Sequence, residues 1–179
     1  MSAAGASAAQ ADRNIVQLDV APADSYSGAD PKPLGAYAVL TGMFAGAVAA
    51  SEAIRRRRGG ELPERIGAGD LALLAVATYK LSRLATKARV TSFARAPFTR
   101  YTGEAGPSEV SEEPRGTGLR RAVGELAVCP YCMGEWIAAG LMASYVRDPR
   151  STRAAASVFA VVAAADVLHQ GWIALDERT

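Results

Sequence analysis

The sequence predicts an all-α fold, a small polytopic membrane helical bundle. We expect about three spanning helices plus one basic interfacial or re-entrant helix. Long uncharged segments predict the spans, and arginine blocks beside them predict where the chain leaves the bilayer. Hydrophobic residues make up 50% of the 179-residue chain, and its net charge is only +2. A charge so close to balance argues against a nucleic-acid-binding protein, so we expect no nucleic acid among the partners.

The first 33 residues predict a disordered acidic tail. Small residues, Pro and Gly dominate residues 1–33, and four aspartates face only Arg13 and Lys32. Such a composition cannot bury enough apolar surface to fold. The segment has neither a basic start nor an apolar run, so we expect no signal peptide.

Residues 34–54 predict the first membrane helix. Leu34 to Ser51 gives 18 residues without a charge, about the minimum for crossing a bilayer. The block Arg55–Arg58 follows at once, as is typical of a cytoplasmic stop. Gly42 and Gly46 form a GxxxG pair, which predicts a face for homo- or hetero-oligomer contacts.

The second segment, residues 70–88, predicts the basic helix. Its uncharged part, from Leu71 to Tyr79, is too short to cross the membrane. Lys80, Arg83 and Lys87 then recur at helical spacing, with apolar residues on the other side. We expect this helix to face anionic lipid headgroups. A tilted span whose cations reach the surface is the alternative.

Two further apolar segments, 122–146 and 154–175, flank a short turn broken by Pro149. They predict an antiparallel helical hairpin over residues 122–175. The Gly-, Pro- and Glu-rich stretch before it predicts a flexible loop at 102–121.

Charge counting predicts the orientation. If all four segments cross, the basic residues of the loops divide eight against seven between the two sides. If the second segment stays on the inner surface, the count becomes twelve against three. The positive-inside rule favours the second arrangement, and with it a multi-pass protein of the cell membrane with both large basic loops in the cytoplasm.

The string Cys-Pro-Tyr-Cys at 129–132 matches a thioredoxin-type motif in letters only. The strand and βαβ context that such a fold needs are missing from the pattern. Pro130 suits the first turn of a helix, which places Cys129 near the N-cap. A thiol at that position is more reactive than usual. A lasting disulfide is not expected in a reducing cytoplasm.

The hairpin also predicts a candidate metal site. Positions at equal depth place Cys132 level with His169, and Glu135 level with Asp166. Cys129, Cys132 and His169 could then bind zinc, with Asp166 or Glu135 as a fourth ligand. The interpretation that the sequence favours is structural: two small buried cysteines and a local hydrogen bond between Asp166 and His169.

Three blocks of the chain carry a resemblance: TYKLSRLATKARVTSFARAPFTRY, GELAVCPYCMGEW and AAADVLH. Residues 66–175 resemble the bacterial family called "domain of unknown function 1360". The resemblance implies a small bacterial membrane protein and assigns it no reaction. The matching positions are Tyr79, Arg83, Arg95, Pro97, Phe98, Cys129, Cys132, Gly134, Trp136 and Asp166.

The sequence therefore favours a non-enzymatic scaffold or partner-binding subunit. Its basic surface, residues 80–100, would meet anionic lipid or an acidic partner. The alternative is a membrane thiol or metal-binding protein that uses the CPYC motif. No catalytic residue is predicted, because the chain has neither a GxSxG nor an HExxH motif.

Overall fold

A computed structural model describes Tyr26 and residues 32–176. The predicted tail at 1–33 lies almost wholly outside these residues. From Gly35 onward the described chain forms one compact unit. Its elements are α1 (Leu34–Arg57), α2 (Ala68–Thr86), a 3₁₀ turn (Arg89–Thr91), α3 (Ser92–Arg95), β1 (Thr99–Gly106), β2 (Glu109–Pro114), α4 (Gly118–Val128), α5 (Pro130–Arg147) and α6 (Pro149–Asp176).

The mostly helical fold is confirmed, but a β-hairpin corrects the all-α class and the flexible loop predicted at 102–121. Strands β1 and β2 pair antiparallel from Thr99–Pro114 to Gly106–Glu109. At the turn Gly106 takes a positive φ angle of 156°, which glycine adopts without steric strain. Ser108 takes a positive φ angle of 62°. The Gly- and Glu-rich composition favours a loop, and composition alone carries no information on cross-strand pairing. The strands could therefore not be predicted from it.

Helix α2 lies between α5 and α6 and supplies much of the core. Leu74 and Ala77 of α2 are buried against Tyr145 of α5 and Ala156 of α6. The alanines allow the helix backbones to approach closely. Thr86 is also buried, and its hydroxyl donates to the Ser82 carbonyl at 2.7 Å. This polar side chain is therefore satisfied within its own helix.

The direction of α2 follows from its contacts. Its first turn meets the first turn of α6, where Asp70 binds Arg153, and further along Lys80 pairs with Asp166. Helix α2 thus runs parallel to α6 along its length. One face of α2 thus packs against two helices, while the face that carries Leu71, Val76 and Tyr79 is exposed. The predicted interfacial location of residues 70–88 stays a prediction.

Helices α5 and α6 meet at a turn at Asp148, inside the segment 122–175 for which the hairpin is predicted. The Asp148 carboxylate accepts hydrogen bonds from the Ser151 hydroxyl at 2.5 Å and the Ser151 backbone N–H at 3.1 Å. These bonds hold the pKa of Asp148 below its usual range. The third apolar segment, however, is two helices, because α4 and α5 meet at an angle of 82° beside Cys129.

The two ends of the bundle carry different loops. Helix α1 runs alongside α5, with the Phe44 and Trp136 rings 5.2 Å apart, and one groove contains both Arg58 and Arg147. Residues 55–58 and the α5–α6 turn therefore share one end, which we call the arginine end. The opposite end carries the β-hairpin formed by β1 and β2, and we call it the hairpin end after these strands.

The two large basic loops, 55–65 and 89–121, lie at opposite ends of the bundle, because α2 runs between them. The basic residues of the loops divide eight at one end and seven at the other. The predicted orientation, with both loops in the cytoplasm, stays a prediction.

Two helices of the described chain, α1 and α6, are each long and apolar enough to cross a membrane. The bent pair α4–α5 passes the same test when its two parts are counted as one span. Helix α2 is not among them.

A buried ion pair holds the hairpin end together. The side chains of Arg95 in α3 and Glu112 in β2 are only 3% and 5% exposed and bind each other. The Arg95 guanidinium also donates to the carbonyls of Ala85 at 2.9 Å and Ala88 at 3.0 Å. These carbonyls lie at and just beyond the C-terminus of α2, where a cation is favourable. Arg95 thus joins α2 to the hairpin.

We expect Arg95→Met to lower the free energy of unfolding by about 3–5 kcal/mol, because Glu112 would stay buried without a counter-charge. Arg89→Gln is the matched control, since Arg89 and Glu104 form a pair that is 54% and 65% exposed. Its loss should cost about 0–1 kcal/mol. Denaturant titration followed by circular dichroism measures both variants, and equal losses would contradict the assigned role of Arg95.

Candidate functional site

An ion pair joins α2 to α6 midway along their contact. Lys80 Nζ binds the Asp166 carboxylate, with side chains 22% and 49% exposed. Asp166 is the only charged residue in the 22 residues from Ala154 to Leu175. An ionisable group in such a segment needs a partner on a neighbouring helix. We call the ion-paired contacts of α2 with its neighbours the charged seam.

The seam continues towards the arginine end. Asp70 accepts two bonds from the Arg153 guanidinium, both at 2.7 Å, and a bond from the Tyr145 hydroxyl at 2.5 Å. The same guanidinium lies 5.4 Å from the centre of the Tyr145 ring. One aspartate of α2 is therefore joined to α5 and α6 at once.

Towards the hairpin end, the last ion pair of the charged seam is formed by Arg83. Its guanidinium donates to both carboxylate oxygens of Glu109 in β2, at 3.0 and 2.5 Å. This bidentate geometry is the strongest form of arginine–carboxylate contact. The guanidinium also lies 5.9 Å from the centre of the Tyr79 ring. Two of the three cations predicted to face lipid, Lys80 and Arg83, are thus engaged within the protein.

The CPYC motif begins a helix, as predicted for Cys129. This residue is the N-cap of α5, and its sulfur accepts a hydrogen bond from the Cys132 N–H at 3.2 Å. Pro130 occupies the first turn, where its missing N–H costs nothing. Both thiols are free, with Cys129 half-buried and Cys132 exposed. The spacing of the two cysteines therefore matches a capping geometry.

The remaining residues of the CPxCxGxW block also join helices. A β-carbon on Gly134 would lie 3.9 Å from side-chain atoms of Ser82 and Thr78, so α5 packs closely on α2 here. Trp136 meets Phe44 of α1 edge to face, with the ring planes at 69°. The block thus connects α5 to two neighbouring helices.

The candidate zinc ligands are not brought together. Among residues 32–176 no group of three or more His, Cys, Asp or Glu side chains is placed to hold a metal ion. Asp166 is bound by Lys80, while His169 and Glu135 are exposed on different helices. Cys129 and Cys132 remain as neighbours in one turn. The arrangement gives the zinc hypothesis no geometric support.

Sequence reasoning missed the partners within the charged seam. It paired Asp166 with His169 or a metal, and Lys80 with lipid. Spacing carries a signal that identifies the pairing: Lys80 follows Asp70 by ten residues, and Asp166 follows Arg153 by thirteen. The intervals are about 2.8 and about 3.6 helical turns, a difference of about 4.5 Å that long Lys and Arg side chains can span, so two parallel helices can form both pairs.

We expect Lys80→Met and Asp166→Asn each to lower the free energy of unfolding by about 1–3 kcal/mol, because each leaves a polar partner unsatisfied between apolar helices. The double variant Lys80→Met/Asp166→Asn should lose less than the sum of the single losses. Glu135→Gln serves as the control, since this carboxylate is exposed on α5. Strictly additive losses in the cycle would exclude a direct coupling of Lys80 with Asp166.

A second prediction separates a capping role of Cys129 from a chemical one. Cys129→Ala should lower the free energy of unfolding by about 0.5–2 kcal/mol, whereas Cys129→Ser should keep the cap and the stability. Zinc content, measured on wild type and Cys132→Ser by mass spectrometry, should be negligible in both. Stoichiometric zinc that Cys132→Ser abolishes would support the metal hypothesis instead.

Comparison with known proteins gives one family. The family described as "Protein of unknown function (DUF1360)" matches residues 73–172, more than half of the chain. No curated protein and no solved structure matches. The matched stretch runs from α2 through most of α6 and includes all three sequence blocks, while α1 lies outside it. The predicted resemblance is thus confirmed, and the chain belongs to the DUF1360 family.

Proposed function

We propose that this protein is a small multi-pass membrane protein that acts as a scaffold or partner-binding subunit. In this proposal α1, α2, α5 and α6 cross the bilayer side by side. Helix α4, which meets α5 at 82°, lies along the membrane surface at the hairpin end. The protein works by holding lipids or other proteins in place and catalyses no reaction.

The exposed apolar surface of α1 and α6 is the observation that carries the proposal. Helix α1 has no buried residue, and only 6% of the apolar window of α6 is buried. On α6, Val161, Leu168 and Trp172 are 68%, 74% and 71% exposed. Apolar patches this long are rare on soluble monomers, whereas a bilayer matches them.

The charged seam supports the inclusion of α2 among the spanning helices. Its Asp70, Lys80 and Arg83 would exclude an isolated α2 from lipid. Each of the three has an oppositely charged partner on a neighbouring element. Paired charges between helices are tolerated at membrane depth, so α2 can lie beside α6 throughout.

The roles of the motif residues support binding over catalysis. Arg83 binds Glu109 of the hairpin end, Arg95 binds the end of α2, and the CPxCxGxW block joins α5 to its neighbours. Motif residues with these contacts maintain the packing of the helices, and the packed helices expose surfaces that a lipid or a partner protein can bind.

One such surface lies at the hairpin end. Val90 and Phe93 are 77% and 79% exposed there, in a stretch that also carries Lys87 and Arg100. An apolar tip flanked by cations suits the headgroup layer or an acidic partner at that level. The proposed basic surface therefore moves from Lys80 and Arg83 to this tip.

The predicted oligomer face stays a prediction. A β-carbon built on Gly42 or Gly46 meets nothing within 4 Å, so both positions of the GxxxG pair face open space. The face is accessible to a second helix.

Membrane fractionation tests the proposal first. The protein should pellet with membranes, resist alkaline carbonate and be released by detergent. Full recovery in the soluble fraction without detergent would contradict it.

Cysteine accessibility tests the arrangement of the helices. In a chain carrying Cys129→Ser and Cys132→Ala, we expect Glu61→Cys and Arg150→Cys to react with an impermeant maleimide from one side. Thr102→Cys should react from the other side, because α2 runs between the two ends. Labelling of Glu61→Cys and Thr102→Cys from the same side would instead restore an α2 that does not cross.

A further inference from the structure

We infer that the groove between α1 and α5 binds an anionic phospholipid, with an acyl chain along the groove and the phosphate at Arg58 and Arg147. The inference rests on the proposed membrane location. It adds a ligand class and a site, neither of which the scaffold proposal requires.

The groove is large and mainly apolar. It encloses about 760 Å³, within the range of small-molecule sites in proteins. Phe44, Val48 and Ile54 line it from α1, and Trp136 and Val146 line it from α5. These are the side chains that an acyl chain would contact.

Small residues on α5 keep the groove open. Ala139, Gly140 and Ala143 form part of its wall, and a β-carbon on Gly140 would meet nothing within 4 Å. The space that larger side chains of α5 would fill is therefore available to a ligand. Since the DUF1360 match begins at residue 73, a helix outside the family domain forms the other wall.

Cations surround the opening at the arginine end. Arg55 is neutralised locally, because its guanidinium binds Glu52 at 2.6 Å. Within residues 32–176, neither Arg58 nor Arg147 has a side-chain hydrogen bond or ion pair, and both are exposed. Two unpaired guanidinium groups above an apolar groove complement a phosphate attached to an acyl chain, since arginine binds phosphate through several donors at once.

The depth of the groove favours a lipid over a second helix. From Phe44 to Arg58 the groove extends about 21 Å at about 1.5 Å per residue, close to one leaflet with its headgroup. The Phe44–Trp136 ring contact closes its inner end. A crossing helix would need an opening through the full hydrocarbon thickness of about 30 Å.

Two single-tryptophan chains test the inference. The sequence has two tryptophans, Trp136 in the groove and Trp172 on the outer face of α6. Trp172→Phe leaves Trp136 as the reporter for the groove, and Trp136→Phe leaves Trp172 as the reporter for bulk lipid. Each chain is reconstituted in phosphatidylcholine vesicles with increasing fractions of phosphatidylglycerol, and the acyl chains of one of the two lipids are brominated to quench fluorescence.

We expect Trp136 to be quenched at lower mole fractions by brominated phosphatidylglycerol than by brominated phosphatidylcholine. Arg58→Gln/Arg147→Gln should raise the anionic fraction needed for half-quenching by about tenfold, as the loss of charge-assisted contacts predicts. Arg150→Gln, at the same end but outside the groove lining, should leave it unchanged. A large side chain at position 143 should fill the groove and block quenching of Trp136. Ala143→Phe is used in the fluorescence chain, because Ala143→Trp would add a second fluorophore. Val161→Phe on α6 is the control and should not block quenching.

Equal quenching of Trp136 by the two lipids, or quenching that ignores Arg58 and Arg147, would overturn the inference. So would an unquenched Trp136 together with a dimer that Ala143→Trp dissociates, since a second copy would then fill the groove. Quenching of Trp172 distinguishes the two proposals. If Trp172 is quenched and Trp136 is not, the membrane proposal stands and the groove proposal falls.

Discussion

Charge pairing along α2 is the constraint on which the rest of the bundle depends. A charge left unpaired between apolar helices is costly, so the position of each partner fixes where α2 can lie. Asp70 with Arg153 and Lys80 with Asp166 set the register of α2 against α6. With the two pairs about 15 Å apart along α2, neither a shift nor a rotation of α2 would preserve both contacts. The third pair, Arg83 with Glu109, then positions the hairpin end.

The hairpin end depends on α2 in turn. Arg95 binds the carbonyls at the end of α2 and the carboxylate of Glu112, so it completes a helix terminus and anchors a strand with one side chain. Helix α4 packs on this unit at Gly124, where a β-carbon would lie 2.6 Å from the Phe98 carbonyl oxygen. Glycine is therefore required for this close approach. The family motifs in this region therefore lie where α2, the β1–β2 hairpin and α4 pack against each other.

Properties that depend on length and hydropathy could be predicted from the sequence. Predicted bounds of 34–54 for α1 and a turn near Pro149 agree with Leu34–Arg57 and the α5–α6 turn at Asp148. Helix α2 could not be placed in the same way, because its cations predict a surface helix until their partners are known. Glu109 and Asp166 lie 26 and 86 residues from the cations that they bind. Hydropathy does not reveal pairings at such distances, so the packing of α2 could not be predicted.

The CPYC motif shows how one spacing can satisfy two chemistries. Cysteines three residues apart suit a redox pair, but the same interval places a cap residue over the N–H of the third helical residue. Cys129 and Cys132 show the second geometry. Sulfur is a weaker acceptor than a hydroxyl oxygen and behaves as a small apolar group. Cys129 is also the residue at which α4 ends and α5 begins at an angle of 82°, so the cap lies at the bend between the two helices.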